Sequence, residues 1–135
     1  MIQLDGRKVL VTGGSRGIGR ATALLFAQAG ADVALNYVSN QKAAEEVLKG
    51  VEKLGRRCLV YKADMSSRSD VDRMVGDILA KWGELDTLVN NAGIWTYLEM
   101  GRMDDAVYRE TIGINVDGVF YATNAVVPAM KEHGR

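Results

Sequence analysis

The chain has 135 residues, with 17 basic and 17 acidic side chains and a formal net charge of zero. A hydrophobic share of 47% and a charged share of 25% belong to a globular domain and exclude intrinsic disorder. The balanced charge also argues against a sequence-independent grip on nucleic acid, which needs a basic excess.

Lys8 to Thr12 is a short apolar run that stops at glycines, which predicts a buried strand. Residues 18–29 follow as a helix, with Ile18, Ala21, Leu25 and Ala29 at helical spacing and Gly30 as its stop. Val33 to Leu35 predicts the second strand. Asn40 then caps a helix whose apolar face is Ala44, Val47, Leu48, Val51 and Leu54, ended by Gly55. Cys58 to Tyr61 gives the third strand. Over 69–82 the residues Val71, Met74, Val75, Ile78, Leu79 and Trp82 fall on one helical face, closed by Gly83. Leu85 to Val89 gives the fourth strand, 92–103 a loop, and Asp104 to His133 a long helix in two pieces broken near Gly113 or Gly118. Strand and helix alternate throughout. That pattern predicts an α/β fold of Rossmann type: an incomplete doubly wound parallel sheet, strand order 3-2-1-4, with helices on both faces. The length fits one domain over 1–135, with a ligand crevice between strands 1 and 4.

Location and metal content follow from what is scarce. No run of about 18 uncharged apolar residues exists, so no membrane span is expected. Met1 to Gly6 lacks the basic and apolar regions of a secretory leader. The single cysteine, Cys58, forbids an internal disulfide, fits a reducing cytoplasm, and reads as a small core hydrophobe. With His133 as the one histidine, there is no cluster to bind a metal.

Two glycine-bearing motifs carry chemistry. Thr12-Gly13-Gly14-Ser15-Arg16-Gly17-Ile18-Gly19 joins the first strand to the first helix with the spacing Gly-x-x-x-Gly-x-Gly. Gly13 and Gly14 permit a tight turn close to a phosphate, and Gly17 and Gly19 permit the helix to pack on the strand. The free N–H groups at the helix start favour a pyrophosphate. Asn90-Asn91-Ala92-Gly93 follows the fourth strand, beside the same crevice.

These segments resemble the N-terminal half of a short-chain dehydrogenase/reductase, nearest the subgroup of 3-oxoacyl-carrier-protein reductases and glucose dehydrogenases. Thr12 to Gly19 is similar to the family's glycine motif, and Asp64 to its adenine-contacting aspartate. Asn90 to Gly93 matches its Asn-Asn-Ala-Gly motif, and Asn115 the asparagine of its catalytic tetrad. The resemblance implies that Ser15, Arg16 and Ile18 line the phosphate turn and that Asp64 and Met65 flank the adenine. Asn91, Ala92 and Gly93 are to touch the ribose side. Asn115 is to kink the long helix and hold a water in a proton relay.

An acid at the end of the second strand would select NAD by binding the ribose 2′-OH. That end reads Leu35-Asn36-Tyr37-Val38-Ser39, and the nearby Asp32 lies at the strand's beginning. Asn36 and Ser39 are candidate donors to a 2′-phosphate, Tyr37 borders them, and Arg16 is placed to pair with it. The expectation is a preference for NADP(H), with NAD(H) also accommodated and moderated by Val38, where many relatives carry a basic residue.

The family's reaction moves a hydride between nicotinamide and a carbonyl or alcohol, using a serine, a tyrosine, and a lysine four residues after that tyrosine. Four residues after Tyr37, Tyr61, Tyr97, Tyr108 and Tyr121 stand Gln41, Met65, Gly101, Ile112 and Ala125. The resemblance therefore places these three residues after Arg135, with the chain ending before strand 5. It implies that this chain alone is inactive and supplies the cofactor-binding half of an oxidoreductase for a small carbonyl or alcohol substrate. A stand-alone, non-catalytic NADP-binding module or assembly partner is the alternative. Strand 4 is then expected as an open edge, and Val119, Phe120, Val126 and Val127 on the long helix as bare apolar surface. Homo-oligomer formation, or association through that helix, follows as an expectation. Trp95, Tyr97, Leu98 and Met100 are either a substrate wall or a packed loop.

Overall fold

The computed structural model describes residues 2–134. Its elements in chain order are β1 (Lys8–Val11), α1 (Gly17–Gln28), β2 (Asp32–Tyr37), α2 (Gln41–Lys53), β3 (Cys58–Lys62), α3 (Arg68–Trp82), β4 (Thr87–Val89), α4 (Asp105–Ile112), a π-helical turn (Gly113–Asp117) and α5 (Gly118–Glu132). The four strands are parallel in the order β3-β2-β1-β4. This is the Rossmann-type order read from the sequence.

The pleat sends alternate residues of each strand to opposite faces, and both faces are buried. Val9, Val11, Val33 and Leu35 pack under α1 and α2, against Ala23, Ala27, Ala44, Val47 and Val51. Leu10 and Ala34 pack under α3 and α5, against Val71, Met74, Val75, Ile78, Ala122 and Val126. The apolar face expected of α3 is the buried one, and Gly83 ends that helix in the left-handed region at φ +78°.

Other faces differ from expectation. Ile18 and Leu25 of α1 are 80% and 63% exposed, and the packed stripe is Gly19, Ala23 and Ala27. This helix lies so close to the sheet that small residues make the contact, while the larger ones turn outward. Leu54, read as part of the α2 face, is the exposed C-cap residue. Val126, expected bare, is 1% exposed beneath α3, and Val127 is half-buried; Val119 and Phe120 are exposed. Strand β4 is shorter than expected. Leu85 reaches the core from the segment before β4, and the Lys8 N–H donates to the Asp86 carboxylate at 2.7 Å.

The break in the long helix takes in both glycines, because the π turn runs from Gly113 to the residue before Gly118. A Cβ at Gly113 would stand 3.1 Å from Ser66 Cβ, and one at Gly118 would stand 3.0 Å from the Met65 carbonyl oxygen. The helix is thus seated on the loop after β3. Among the described residues no helix is long and apolar enough to cross a membrane.

Candidate cofactor site

The C-terminal ends of β1, β2, β3 and β4 open onto one crevice of about 550 Å³. Its border includes Gly13, Ser15, Arg16, Gly17, Ile18, Gly19, Asn36, Tyr37, Ser39, Asp64, Met65, Asn91, Ala92 and Gly93, every residue expected at a cofactor. Val38, Asn40, Ile94 and Ile114 complete the lining. Ile18 faces this space from the first turn of α1, which accounts for its exposure.

The floor is held by buried polar groups. The Thr12 hydroxyl accepts from the Asn91 and Ala92 N–H groups, both at 3.0 Å, and donates to the Val89 carbonyl at 3.3 Å. The Asn91 amide donates to the Thr12 and Gly13 carbonyls at 2.9 and 3.1 Å. Asn91 therefore braces the glycine turn with its side chain, where the resemblance assigned it to the ribose. Asn36 is 1% exposed, and its amide is likewise committed to backbone, accepting from Gly13 N–H at 2.8 Å and donating to the Ala63 carbonyl at 2.9 Å. The amide expected to donate to a 2′-phosphate thus has its oxygen and one N–H taken by backbone.

The glycines divide the work differently from the sequence reading. A Cβ on Gly19 would stand 2.5 Å from Asn91 Nδ2 and closer still to the Gly13 carbonyl oxygen, so this is the packing glycine. A Cβ on Gly17 would meet nothing within 4 Å; at φ +53° this glycine turns the chain into α1. The helix then starts with no side-chain cap and no acid in its first turn. Its first N–H groups and its partial positive charge are thus open to an anion in the crevice. Arg16 stands exposed at this point and, among the described residues, makes no ion pair.

At the far end of the crevice Asp64 Oδ1 accepts from the Ser66 N–H and hydroxyl at 2.9 and 2.7 Å. The carboxylate is fixed by this turn while it borders the crevice. Asn115, expected to kink the long helix, lies within its π turn. Its Oδ1 accepts from Ile94 N–H and its Nδ2 donates to the Ile94 carbonyl, both at 2.8 Å. The loop beyond is open: Trp95 and Tyr97 pack edge to face, centroids 6.0 Å apart, and both are exposed. The packed-loop reading of Trp95, Tyr97 and Met100 does not hold; Leu98 is half-buried.

Asp32 lies at the opposite end of β2, as its sequence position requires. It is held there by Arg57 Nη2 at 2.7 Å and Arg57 N–H at 2.8 Å, far from the crevice. Sequence reasoning missed Thr12 as the hub of the floor. Its position directly before the glycines was the available signal, since a hydroxyl at a strand end can satisfy neighbouring backbone.

The cradle fits a dinucleotide: glycines without room for a Cβ, an uncapped helix start and an unpaired guanidinium lie in one crevice, where a doubly wound sheet places its ligand. Comparison with known proteins agrees. The chain is 35% identical over 131 residues to L-rhamnose 1-dehydrogenase (NAD(P)(+)) of Sphingomonas sp. (strain SKA58), covering 97% of this chain and 52% of that protein. It is 36% identical over 129 residues to 3-oxoacyl-[acyl-carrier-protein] reductase of Thermotoga maritima, covering 96% and 52%. A short chain dehydrogenase from Burkholderia cenocepacia J2315, solved in complex with NADP, superposes with a TM-score of 0.92 at 38% identity, covering 94% of this chain and 52% of that one. The chain spans about half the length of the curated relatives it matches. A short chain dehydrogenase family model matches residues 7–135, and to that family this chain belongs.

Proposed function

We propose that this chain is the cofactor-binding half of an NADP(H)-dependent oxidoreductase acting on a small carbonyl or alcohol. The observation that carries the reading is the uncapped start of α1, with Arg16 unpaired beside it, at a crevice bounded by β2 with no acid near its end. The short chain dehydrogenase solved in complex with NADP supports it. Bound NADP(H) supplies or takes the hydride.

The chain's own residues bind and orient. The Gly17–Gly19 N–H groups and the α1 dipole receive the pyrophosphate. Arg16 and the Ser39 hydroxyl take the 2′-phosphate, and the charge-assisted Arg pair gives NADP its advantage. Asp64 and Met65 flank the adenine. Asn115, by clasping Ile94, sets where the loop after β4 meets the nicotinamide end, and its place in the π turn fits the proton-relay role. The acid–base tyrosine, its lysine and the serine come from sequence outside this chain, which alone turns nothing over. The exposed α4–α5 face with Tyr108, Val116, Val119 and Phe120 is the surface for self-association.

The test is a pair of calorimetric titrations with NADPH and NADH on the protein and on Arg16→Ala. A charge-assisted bond to a phosphate is worth enough to weaken NADPH roughly tenfold on its loss, leaving NADH within about twofold. Equal affinities in the parent protein, or an unchanged ratio in the variant, would remove the basis for the NADP assignment.

A further inference from the structure

Asn36 is a buried amide with each end spoken for. Gly13 N–H can only donate and the Ala63 carbonyl can only accept, so the group between them must offer one acceptor and one donor. The backbone repeats the link, with Gly14 N–H donating to the Asn36 carbonyl at 3.2 Å and Ala63 N–H to the Tyr37 carbonyl at 3.0 Å. One side chain thus ties together the turn after β1, the end of β2 and the residue following β3. Gly14 closes the other side, since a Cβ there would stand 2.6 Å from Leu35 Cβ.

We propose that Asn36 is the positioning residue of the crevice: its amide fixes the glycine turn for the dinucleotide and, by requiring a donor toward Ala63, bars a carboxylate from position 36. The proposal rests on the NADP(H) reading above and adds the residue that sets the turn. An apolar residue at 36 would leave a buried N–H and a buried carbonyl without partners. An aspartate would keep the bond from Gly13 but set a negative oxygen against the Ala63 carbonyl. Discrimination between NADP and NAD then falls to Arg16 and Ser39, which reach the crevice.

Asn36→Asp tests this, because a protonated carboxyl has the hydrogen-bonding pattern of the amide. NADP+ affinity is measured by calorimetry from pH 5.5 to 8 for the parent protein and the variant, with NAD+ in parallel. The titratable groups around position 36 are Arg16, Tyr37, Lys62 and Asp64. All are present in both proteins, and only the variant adds a carboxyl among them. At pH 8 the ratio is expected to reach about ten or more, the effect of one unsatisfied buried group. It is expected to fall toward one as the pH drops and the new carboxyl takes its proton. A ratio near one at pH 8, a loss equal at every pH, or a gain in NAD+ affinity would overturn the proposal.

A second measurement needs no variant. The Gly13 amide of the parent protein is expected to be strongly protected in hydrogen exchange, and exchange at the rate of an open turn would overturn the strut. If the parent binds no NADP+, the functional reading falls. The strut is then judged by Gly13 protection and by the melting temperature of the variant, expected to be lower at pH 8 and restored in acid.

Discussion

Replacing Gly19 with alanine tests the packing of the crevice most directly. The added Cβ would stand 2.5 Å from Asn91 Nδ2 and nearer still to the Gly13 carbonyl, against the 3.0 Å below which such contacts do not occur. One partner is main chain and the other is a half-buried amide already bonded to Thr12 and Gly13, so neither is a flexible end that can swing aside. Start of helix and turn must therefore separate by at least about 0.5 Å, which breaks the Asn91–Gly13 bond. Overpacking of this kind costs about 1–3 kcal/mol. For a domain of this size that is a fall in Tm of roughly 3–10 °C. Because the separation shifts the start of α1, whose N–H groups are proposed to receive the phosphate, NADPH affinity should drop at least about tenfold. Gly17→Ala and Gly55→Ala serve as controls. Both positions have positive φ with open space around them, so each carries only the left-handed cost of about 1–2 kcal/mol. Only the first borders the crevice. Differential scanning fluorimetry and fluorescence titration with NADPH read all three. A Gly19→Ala protein with parental Tm and affinity would refute the packing argument.

Two further outcomes are expected. Asp32→Ala removes a carboxylate that is 8% exposed from its pairs with Arg57. It should lower stability by about 2–3 kcal/mol, less than for a fully buried pair because Arg57 is 59% exposed, and leave NADPH affinity unchanged, as denaturant curves and titration will show. The Cys58 thiol is pushed up from 9.0 to about 12, by burial first and by the Glu52 carboxylate second. The folded state thus favours the protonated thiol, and its contribution to stability is whole below pH 9 and is lost as pH rises from 9 toward 12. The difference in Tm between the parent and Cys58→Val should change across that window, and a constant difference would contradict the burial of the thiol. Alkylation of folded Cys58 at pH 8 should be correspondingly slow.

The sheet order was legible because each strand is a short apolar run followed by a helix of its own, and right-handed crossovers leave few ways to join them. The crevice was legible for a related reason: glycines and asparagines interrupt the pattern at the strand ends, where no core demands them. The face of α1 was not. Counting large apolar residues selects Ile18 and Leu25, whereas a helix pressed against a sheet is marked by its smallest residues, Gly19, Ala23 and Ala27. The amides were half legible. The sequence placed Asn36 and Asn91 at the right strand ends, but a polar side chain there can serve ligand or backbone with equal chemistry. Only the distances to Gly13, Ala63 and Thr12 decide for backbone. The break was foreshadowed by Gly113 and Gly118, but the close approach of these glycines to Ser66 and Met65, about fifty residues earlier, is invisible to local periodicity.

The Thr12 hydroxyl also bears on when the site comes into being. Its bonds to Asn91 and Ala92 span 79 and 80 positions of sequence, so the floor of the crevice is among the longest loops the chain closes. Contacts of such separation form late, after the local helices and the β1–β2 pair. A nascent chain that has released α3 but not β4 already holds the glycine motif and the Asn36, Asp64 and Met65 side of the crevice, but not its Asn91–Gly93 wall. A ligand of the crevice meets the complete site once β4 has docked on β1, so its binding favours the closed sheet.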